Sequence, residues 1–419
     1  MLTLLYAALV CMLLFVYIWS LYNVPILVAG LKSLLRNRRK PRRTSGEKVL
    51  PSFSIVVAAK NEEKVIGRLL SALSKLDYPE DKKEVVIVED GSTDRTLDIC
   101  NRFAQETRIR IRILHKPFSN GKPSALNYGI MHAEGDIIGV FDADNVPAND
   151  ALLNVCRYFE DDNVGAVQGR TLSINSGENM LTEFISYEET VWCEAYLRGK
   201  DSLNLFVHMK GSCQFIRHSV LDRLKGFDEQ ALSEDMELSA RLAENDYKIR
   251  YASDVRSWQE SPSGLKQLLK QRTRWFRGTM EVAFRYGQLM AKPTRMSLDA
   301  EATLFGPFVL IASLASYFAA FYMAFVSSPL DFLVQFVMQF TTVIATLMLF
   351  ACGLALIYAS RPRKAKDVLW LPFVYFYWSL QAFIALYAVL LILLRRPRKW
   401  ARTDKKGVVT GTNITSEAF

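Results

Sequence analysis

The sequence predicts a doubly wound α/β domain inserted between an N-terminal and several C-terminal transmembrane helices. Three observations lead there. Four stretches, residues 1–31, 303–330, 332–360 and 368–394, contain no charged residue, and each exceeds the roughly 20 apolar residues that cross a bilayer. The hydrophilic body between the first and second stretch is long enough to bury its own core. Within that body, apolar runs of strand length alternate with helical spacing, and three of the runs end in acidic or polar clusters. That is the pattern of a sheet that binds ligands at the carboxyl ends of its strands.

The charge arrangement agrees. The 419 residues carry 52 Lys+Arg against 43 Asp+Glu, a net charge of +9. Lys32, Arg36, Arg38, Arg39, Lys40, Arg42 and Arg43 follow the first apolar run, and Arg361, Arg363, Lys364 and Lys366 separate the third from the fourth. Basic flanks of this kind mark the cytoplasmic side of membrane helices. The positive charge sits beside the membrane rather than on a separable basic domain, so nucleic acid is not expected as a partner. The first run is too long for a signal-peptide core and lacks a basic segment before it, so it reads as a retained anchor. The six cysteines are scattered without CxxC pairing, and the four histidines form no HExxH-like pair. Reduced thiols and no structural zinc are expected. A soluble enzyme, a disordered chain and a disulfide scaffold are excluded.

Along the body, residues 53–58 (FSIVVA) form a continuous apolar run suited to a buried parallel strand. Residues 63–76 place Val65, Ile66, Leu69, Leu70 and Leu73 at helical spacing. A second strand at 84–88 ends in Glu89-Asp90-Gly91-Ser92, and Thr93 or Asp94 can cap a helix at 95–107. A strand at 109–114, a helix at 124–131 and a strand at 136–141 complete the alternation.

The chemistry sits at the ends of these elements. Asp142-x-Asp144 leaves an apolar strand with two carboxylates one residue apart, an arrangement that suits Mg²⁺ or Mn²⁺; alone it reads equally as a capped turn. Gly121-Lys122 lacks the earlier glycine of a Walker loop and precedes a proline, so that nucleotidase class is rejected. A lysine at a helix start can still hold a phosphate. Ser233-Glu234-Asp235 opens a helix. Its acidic first turn complements the helix dipole, or supplies a general base. Gln271-Arg272-Thr273-Arg274-Trp275 lies in a helix of interleaved basic and apolar residues, which fits a membrane interface or a site that binds diphosphate and stacks sugar rings.

Taken together and in order, VVAAKNEE (56–63), VEDGSTD (88–94), NGKPSALN (120–127), FDADN (141–145), GSCQFIR (211–217), LSEDMEL (232–238) and QRTRW (271–275) resemble the processive, membrane-bound family 2 glycosyltransferases. Cellulose, hyaluronan, chitin and poly-N-acetylglucosamine synthases belong to that group. The resemblance runs over residues 53–278 and implies a nucleotide-sugar-binding, GT-A-like cytosolic domain. It implies that Asn61, Glu62, Glu89 and Asp90 hold the nucleoside, with Lys122 near the nucleotide. Asp142 and Asp144 would bind a divalent cation, Mg²⁺ or Mn²⁺, on the diphosphate, Asp142 also counting among the donor-binding residues. Gly211, Ser212, Cys213 and Glu234 would line the acceptor, Asp235 would be the catalytic base, and Gln271, Arg274 and Trp275 would form the QxxRW site. Ala58 and Lys60 depart from the family, where many members carry proline and an aromatic residue.

The implied reaction is an inverting, processive transfer from a UDP-linked sugar that elongates a β-linked polysaccharide across the plasma membrane. Expected partners are the nucleotide-sugar donor, a growing polysaccharide or lipid acceptor, and membrane lipids. A single-addition glycolipid synthase resembling ceramide glucosyltransferases is the alternative. A receptor or channel that merely binds nucleotide is a further one. The expected organisation is a transmembrane helix at 1–31, a basic linker at 32–52, the catalytic domain at 53–260, interface helices at 261–302, a C-terminal transmembrane region at 303–394 and a basic tail at 395–419. The tail carries Arg395, Arg396, Arg398, Lys399, Arg402, Lys405 and Lys406, which favours the cytosolic face. It also resembles a gating segment, in which Trp400, Arg402, Thr403 and Lys405 would close over the nucleotide. A cytosolic tail requires one re-entrant, bent or interfacial C-terminal segment, and Pro372 and Gln381 point to the last apolar run.

Overall fold

A computed structural model describes residues 2–37, 50–287, 294–325, 371–398 and 403–410, with scattered positions between 332 and 353. The chain forms two compact units. One draws on Met1–Arg38, Thr190–Asn204 and Arg272–Arg398, the other on Arg39–Glu189, Leu205–Gln271 and Lys399–Phe419.

The second unit is α/β. Its strands are β1 (Phe53–Ala59), β2 (Lys83–Asp90), β3 (Ile111–Lys116), β4 (Ile137–Val140), β5 (Val146–Pro147), β6 (Val164–Ser173), β7 (Gln214–Arg217) and β8 (Lys248–Gln259). They form one sheet in the order β3-β2-β1-β4-β7-β6-β8-β5. β3, β2, β1 and β4 run parallel, as the alternation of elements predicts. β7 then enters antiparallel to both β4 and β6. The sheet is therefore mixed, and the doubly wound pattern holds only for its first half. β1, β2 and β4 are buried on both faces because both are covered, while β3, at the end of the sheet, is only partly buried. Helix Ile66–Leu73 buries Ile66, Leu69, Leu70 and Leu73, the i, i+3, i+4, i+7 stripe, and these share one core with Ile55, Val57, Ile87 and Phe215. Strand order reverses between β1 and β4, so the crevice for a ligand opens at their carboxyl ends.

The first unit is largely apolar. Its first helix, Leu2–Asn37, continues past the expected end at residue 31. Among the described residues, Ala7–Arg36 and Phe376–Leu393 are long and apolar enough to cross a membrane. The last apolar run is not broken near Pro372 or Gln381: Leu371–Leu393 is one continuous helix. The bend lies earlier, where Arg295–Leu304 meets Gly306–Ala319 at 50°. The run at 332–360 falls largely outside the described residues.

Two contacts hold this unit. The Lys200 ammonium, with no exposed surface, reaches Asp299 Oδ2 at 2.8 Å and donates to Thr303 Oγ1 at 2.6 Å. Tyr22 Oη donates to the same carboxylate at 2.6 Å. Removing one member of a buried pair strands a charge. The first helix also packs backbone to backbone against residues 195–199. A Cβ on Gly199 would lie 2.0 Å from the Ile26 carbonyl oxygen, and one on Gly30 1.8 Å from that of Ala195. Glycine permits such an approach between helices. Gly199→Val is expected to destabilise the unit by about 3 kcal/mol or more, while Gly287→Ala, with nothing within 4 Å of an added Cβ, is neutral. Thermal unfolding in detergent compares the two.

Candidate active site

Four carboxyl-end segments of the sheet meet at one edge. After β1, Asn61 adopts a left-handed backbone (φ 55°), which turns its N–H toward Ser92 Oγ at 2.9 Å and lets its Oδ1 accept from the Thr93 N–H at 2.7 Å. The Glu62 N–H donates to Thr96 Oγ1 at 2.8 Å. The loop after β1 is thereby stitched to the loop after β2. Asp94 accepts from the Thr96 N–H at 3.0 Å, but the N-cap position of helix Thr96–Glu106 is Arg95, which makes no side-chain cap, so neither Thr93 nor Asp94 caps the helix as expected from sequence. Glu89 and Asp90 are buried. Glu89 accepts from the Ser92 N–H and pairs with His115 Nδ1, and Asp90 accepts from Ser119 and lies 3.5 Å from Lys116 Nζ.

The densest charge lies between β4, β7 and helix Glu234–Glu244. Lys122, which begins helix Lys122–Ile130, places its Nζ 2.7 Å from Asp142 Oδ1 and 3.2 Å from Glu234 Oε1. It also donates to the Gly211 carbonyl at 2.8 Å. Burial alone would lower the Lys122 pKa, but Asp142, Glu234 and Asp235 together hold it above its ordinary value. The Asp142 N–H donates to Ser212 Oγ at 2.9 Å. Gly211 is at φ +78°, and a Cβ there would sit 3.2 Å from Asp235 Oδ2 and 3.4 Å from Lys122 Nζ. The segment 211–213 thus lets backbone approach the acidic helix start as no larger residue would.

Ser233 occupies the N-cap position, but its hydroxyl donates to Asp235 Oδ1 at 2.9 Å instead of accepting from the helix backbone. The Met236 N–H donates to the same oxygen at 2.8 Å. Burial, followed by the neighbouring Glu234 charge, pushes the Asp235 carboxyl up to about 6, against the opposing pull of Lys122. A carboxyl poised in this range exchanges protons near neutral pH.

Asp144 is buried and faces a different cation. Its Oδ2 lies 2.7 Å from Lys405 Nζ and accepts from the Glu260 N–H at 2.9 Å. Burial would raise its pKa, but Lys405, the Glu260 N–H and Arg68 keep it low. Among the described residues no cluster of three His, Cys, Asp or Glu side chains forms a ready metal cage. The fit to a cation is nonetheless good, because an ammonium already stands against one oxygen of each carboxylate of Asp142-x-Asp144. Hard oxygen donors with positive stand-ins suit Mg²⁺ or Mn²⁺ completed by substrate phosphates.

Gln271, Arg274 and Trp275 share one face of helix Leu265–Tyr286 by their i, i+3, i+4 spacing. Gln271 belongs to the α/β unit, while Arg274 and Trp275 belong to the apolar unit. There the Arg272 guanidinium stacks 4.4 Å over the Trp275 ring. Of the tail residues singled out by sequence, Thr403 and Lys405 are described, and Trp400 and Arg402 lie outside the described residues. Sequence reasoning missed Glu260 and Arg68. Glu260 had a signal: it marks a fourth acidic strand end, directly after β8.

Comparison with known proteins identifies the family. Residues 51–278 match the model of "Glycosyltransferase like family 2". A probable glycosyltransferase, YdaM, of Bacillus subtilis is 34% identical over 275 residues, 65% of this chain and 66% of that protein. The beta-monoglucosyldiacylglycerol synthase of Nostoc is 34% identical over 58% of this chain and 52% of its own length. The poly-beta-1,6-N-acetyl-D-glucosamine synthase of Staphylococcus epidermidis is 29% identical over 59% of each. The chain therefore spans between about half and two thirds of the curated relatives it matches. In fold it is similar to the mannosyltransferase PcManGT of Pyrobaculum calidifontis, solved with GDP-Man and Mn²⁺, with a TM-score of 0.60 at 21% identity over 93% of this chain and all of that one. The α/β unit is GT-A-like, and the chain belongs to the family 2 glycosyltransferases, which use nucleotide sugars.

Proposed function

We propose that this glycosyltransferase works by inversion, uses a UDP-linked sugar, and lengthens a β-linked polysaccharide that passes across the plasma membrane, with the α/β unit on the cytosolic side. The observation that carries the chemistry is the convergence of Lys122, Asp142, Asp144, Glu234 and Asp235 on one sheet edge. Asn61, Glu62, Glu89 and Asp90 bind the nucleoside, and the Lys122 ammonium meets the diphosphate. Asp142 and Asp144 hold a divalent cation, which when bound neutralises the departing nucleoside diphosphate. Asp235 takes the proton of the acceptor hydroxyl as that oxygen attacks the anomeric carbon. Ser233 and the Met236 N–H fix one carboxylate oxygen and leave the other toward Gly211. Gly211, Ser212, Cys213 and Glu234 line the acceptor end, and Gln271, Arg274 and Trp275 orient the acceptor and diphosphate. Thr403 and Lys405, together with Trp400 and Arg402, close over the nucleotide.

The motif order and the similarity to the Staphylococcus synthase support polymer elongation. A second reading, transfer of one sugar to a membrane lipid, is favoured by the higher identity to the cyanobacterial monoglucosyldiacylglycerol synthases. Incubation with a panel of nucleotide sugars, followed by product sizing, separates them. A ladder that linkage-specific hydrolases degrade supports the polymer, and a single extractable glycolipid supports the rival.

Two further outcomes test the base. Asp235→Asn is expected to lower transfer by about 10²–10⁴-fold with donor affinity retained, and full turnover by that variant would remove Asp235 from the role. Because the carboxylate must be free to accept a proton, kcat/KM should fall about tenfold per pH unit below about 6 and level off above it. A rate that stays flat between pH 5 and pH 7 would exclude this assignment.

A further inference from the structure

The C-terminal segment 403–410 is bound to the α/β unit by contacts that centre on one buried residue, Glu260. Its carboxylate accepts the N–H of Lys406 at 2.7 Å through Oε1 and that of Gly407 at 2.8 Å through Oε2. Its carbonyl accepts from Lys405 Nζ at 2.7 Å, and its own N–H donates to Asp144 Oδ2 at 2.9 Å. Four polar groups of a single residue thus connect the tail to Asp144. Farther along, the Thr410 N–H donates to the Ile174 carbonyl at 3.1 Å and Thr410 Oγ1 accepts from the Gly177 N–H at 2.9 Å. Lys406 Nζ lies 3.1 Å from Glu178 Oε1. The segment is held along its length, and the turn at Gly407 (φ +79°) keeps Lys405 aimed at Asp144.

This arrangement has a chemical consequence. The Asp144 oxygen that Lys405 contacts is already shared with a backbone N–H. An ammonium and a divalent cation cannot both occupy it at contact distance. We propose that Lys405 is a tethered counter-ion that competes with the divalent cation for Asp144, and that Glu260 is the positioning residue that delivers it. The proposal rests on reading Asp142 and Asp144 as the metal-binding pair. Metal entry then requires the tail to release its lysine, so the state of the tail sets the apparent metal affinity. An intramolecular competitor acts at an effective concentration in the millimolar range. If the pair is formed nine-tenths of the time, it weakens apparent metal binding about tenfold.

The test is a Mn²⁺ titration of the purified full chain in detergent without nucleotide, with free Mn²⁺ read by electron paramagnetic resonance. Lys405→Met is expected to bind Mn²⁺ about tenfold more tightly than wild type. Glu260→Gln leaves Asp144 and Lys405 intact but turns an amide donor toward a backbone N–H, and it should tighten binding in the same direction. Lys248→Met, an equal loss of charge elsewhere on the α/β unit, should match wild type. Equal or weaker affinity in both the Lys405 and Glu260 variants overturns the proposal and leaves the metal assignment standing. Absence of Mn²⁺ binding in every form overturns both. As a second readout, tryptic cleavage after Lys406 should be slow in wild type and faster in Glu260→Gln or on adding Mn²⁺. A tail that stays protected while Mn²⁺ binds also overturns the proposal.

Discussion

The α/β unit is organised around the need to neutralise carboxylates that its sheet gathers at one edge. Asp142, Asp144, Glu234 and Asp235 come from two separate elements, and burial makes their mutual repulsion expensive. Two lysines resolve this. Lys122 sits among Asp142, Glu234 and the Gly211 carbonyl, and Lys405 sits between Asp144 and the Glu260 carbonyl. The position of helix Lys122–Ile130, the left-handed turn at Gly211 and the course of the tail all serve to place these two ammoniums. Asp235 is the member least fully compensated, and it is the one whose carboxyl is pushed up to about 6.

The apolar unit uses the same pairing for a different end. Lys200 and Asp299 are fully enclosed, and Tyr22 and Thr303 complete their hydrogen bonds. The ammonium and the carboxylate have no exposed surface, and the arrangement fastens three helices together. At the sheet edge, by contrast, Asp142 remains partly open to solvent, so its partner can be exchanged for another cation. Closure around the pair distinguishes an ion pair locked within the fold from one whose partner solvent can reach.

Much of this was legible in the sequence because it depends on local pattern. FSIVVA, EVVIV and DIIGVF announce buried strands by continuous apolarity. The acidic clusters after them identify the functional edge, since polar groups at several strand ends have one place to meet. What sequence did not disclose depends on contacts between distant residues. The reversal of β7 changes no periodicity, because an antiparallel strand buried on both faces reads like a parallel one. The role of Glu260 depends on a tail more than a hundred residues later. The last apolar run carries a proline near its start, yet the first turn of a helix tolerates proline, and Leu371–Leu393 continues unbroken.

The reversed strand β7 has an evolutionary implication. A parallel strand reaches the functional edge with its end, whereas β7 reaches it with its beginning, so Gly211–Cys213 arrive beside Asp142 from the opposite chain direction. The first half of the unit, through β4, is a parallel sheet whose core is completed by residues that follow it. The later half, including the helix that carries Asp235, joins it at the pairing of β4 with β7, through a common core that Phe215 shares with Ile55, Val57 and Ile87, and through the Lys122–Glu234 contact. Because the two halves share a core and the contacts of Lys122, a substitution in one is felt by the other, and the unit is constrained to change as a whole. A later half exchanged between relatives would therefore have to bring its matching core residues with it.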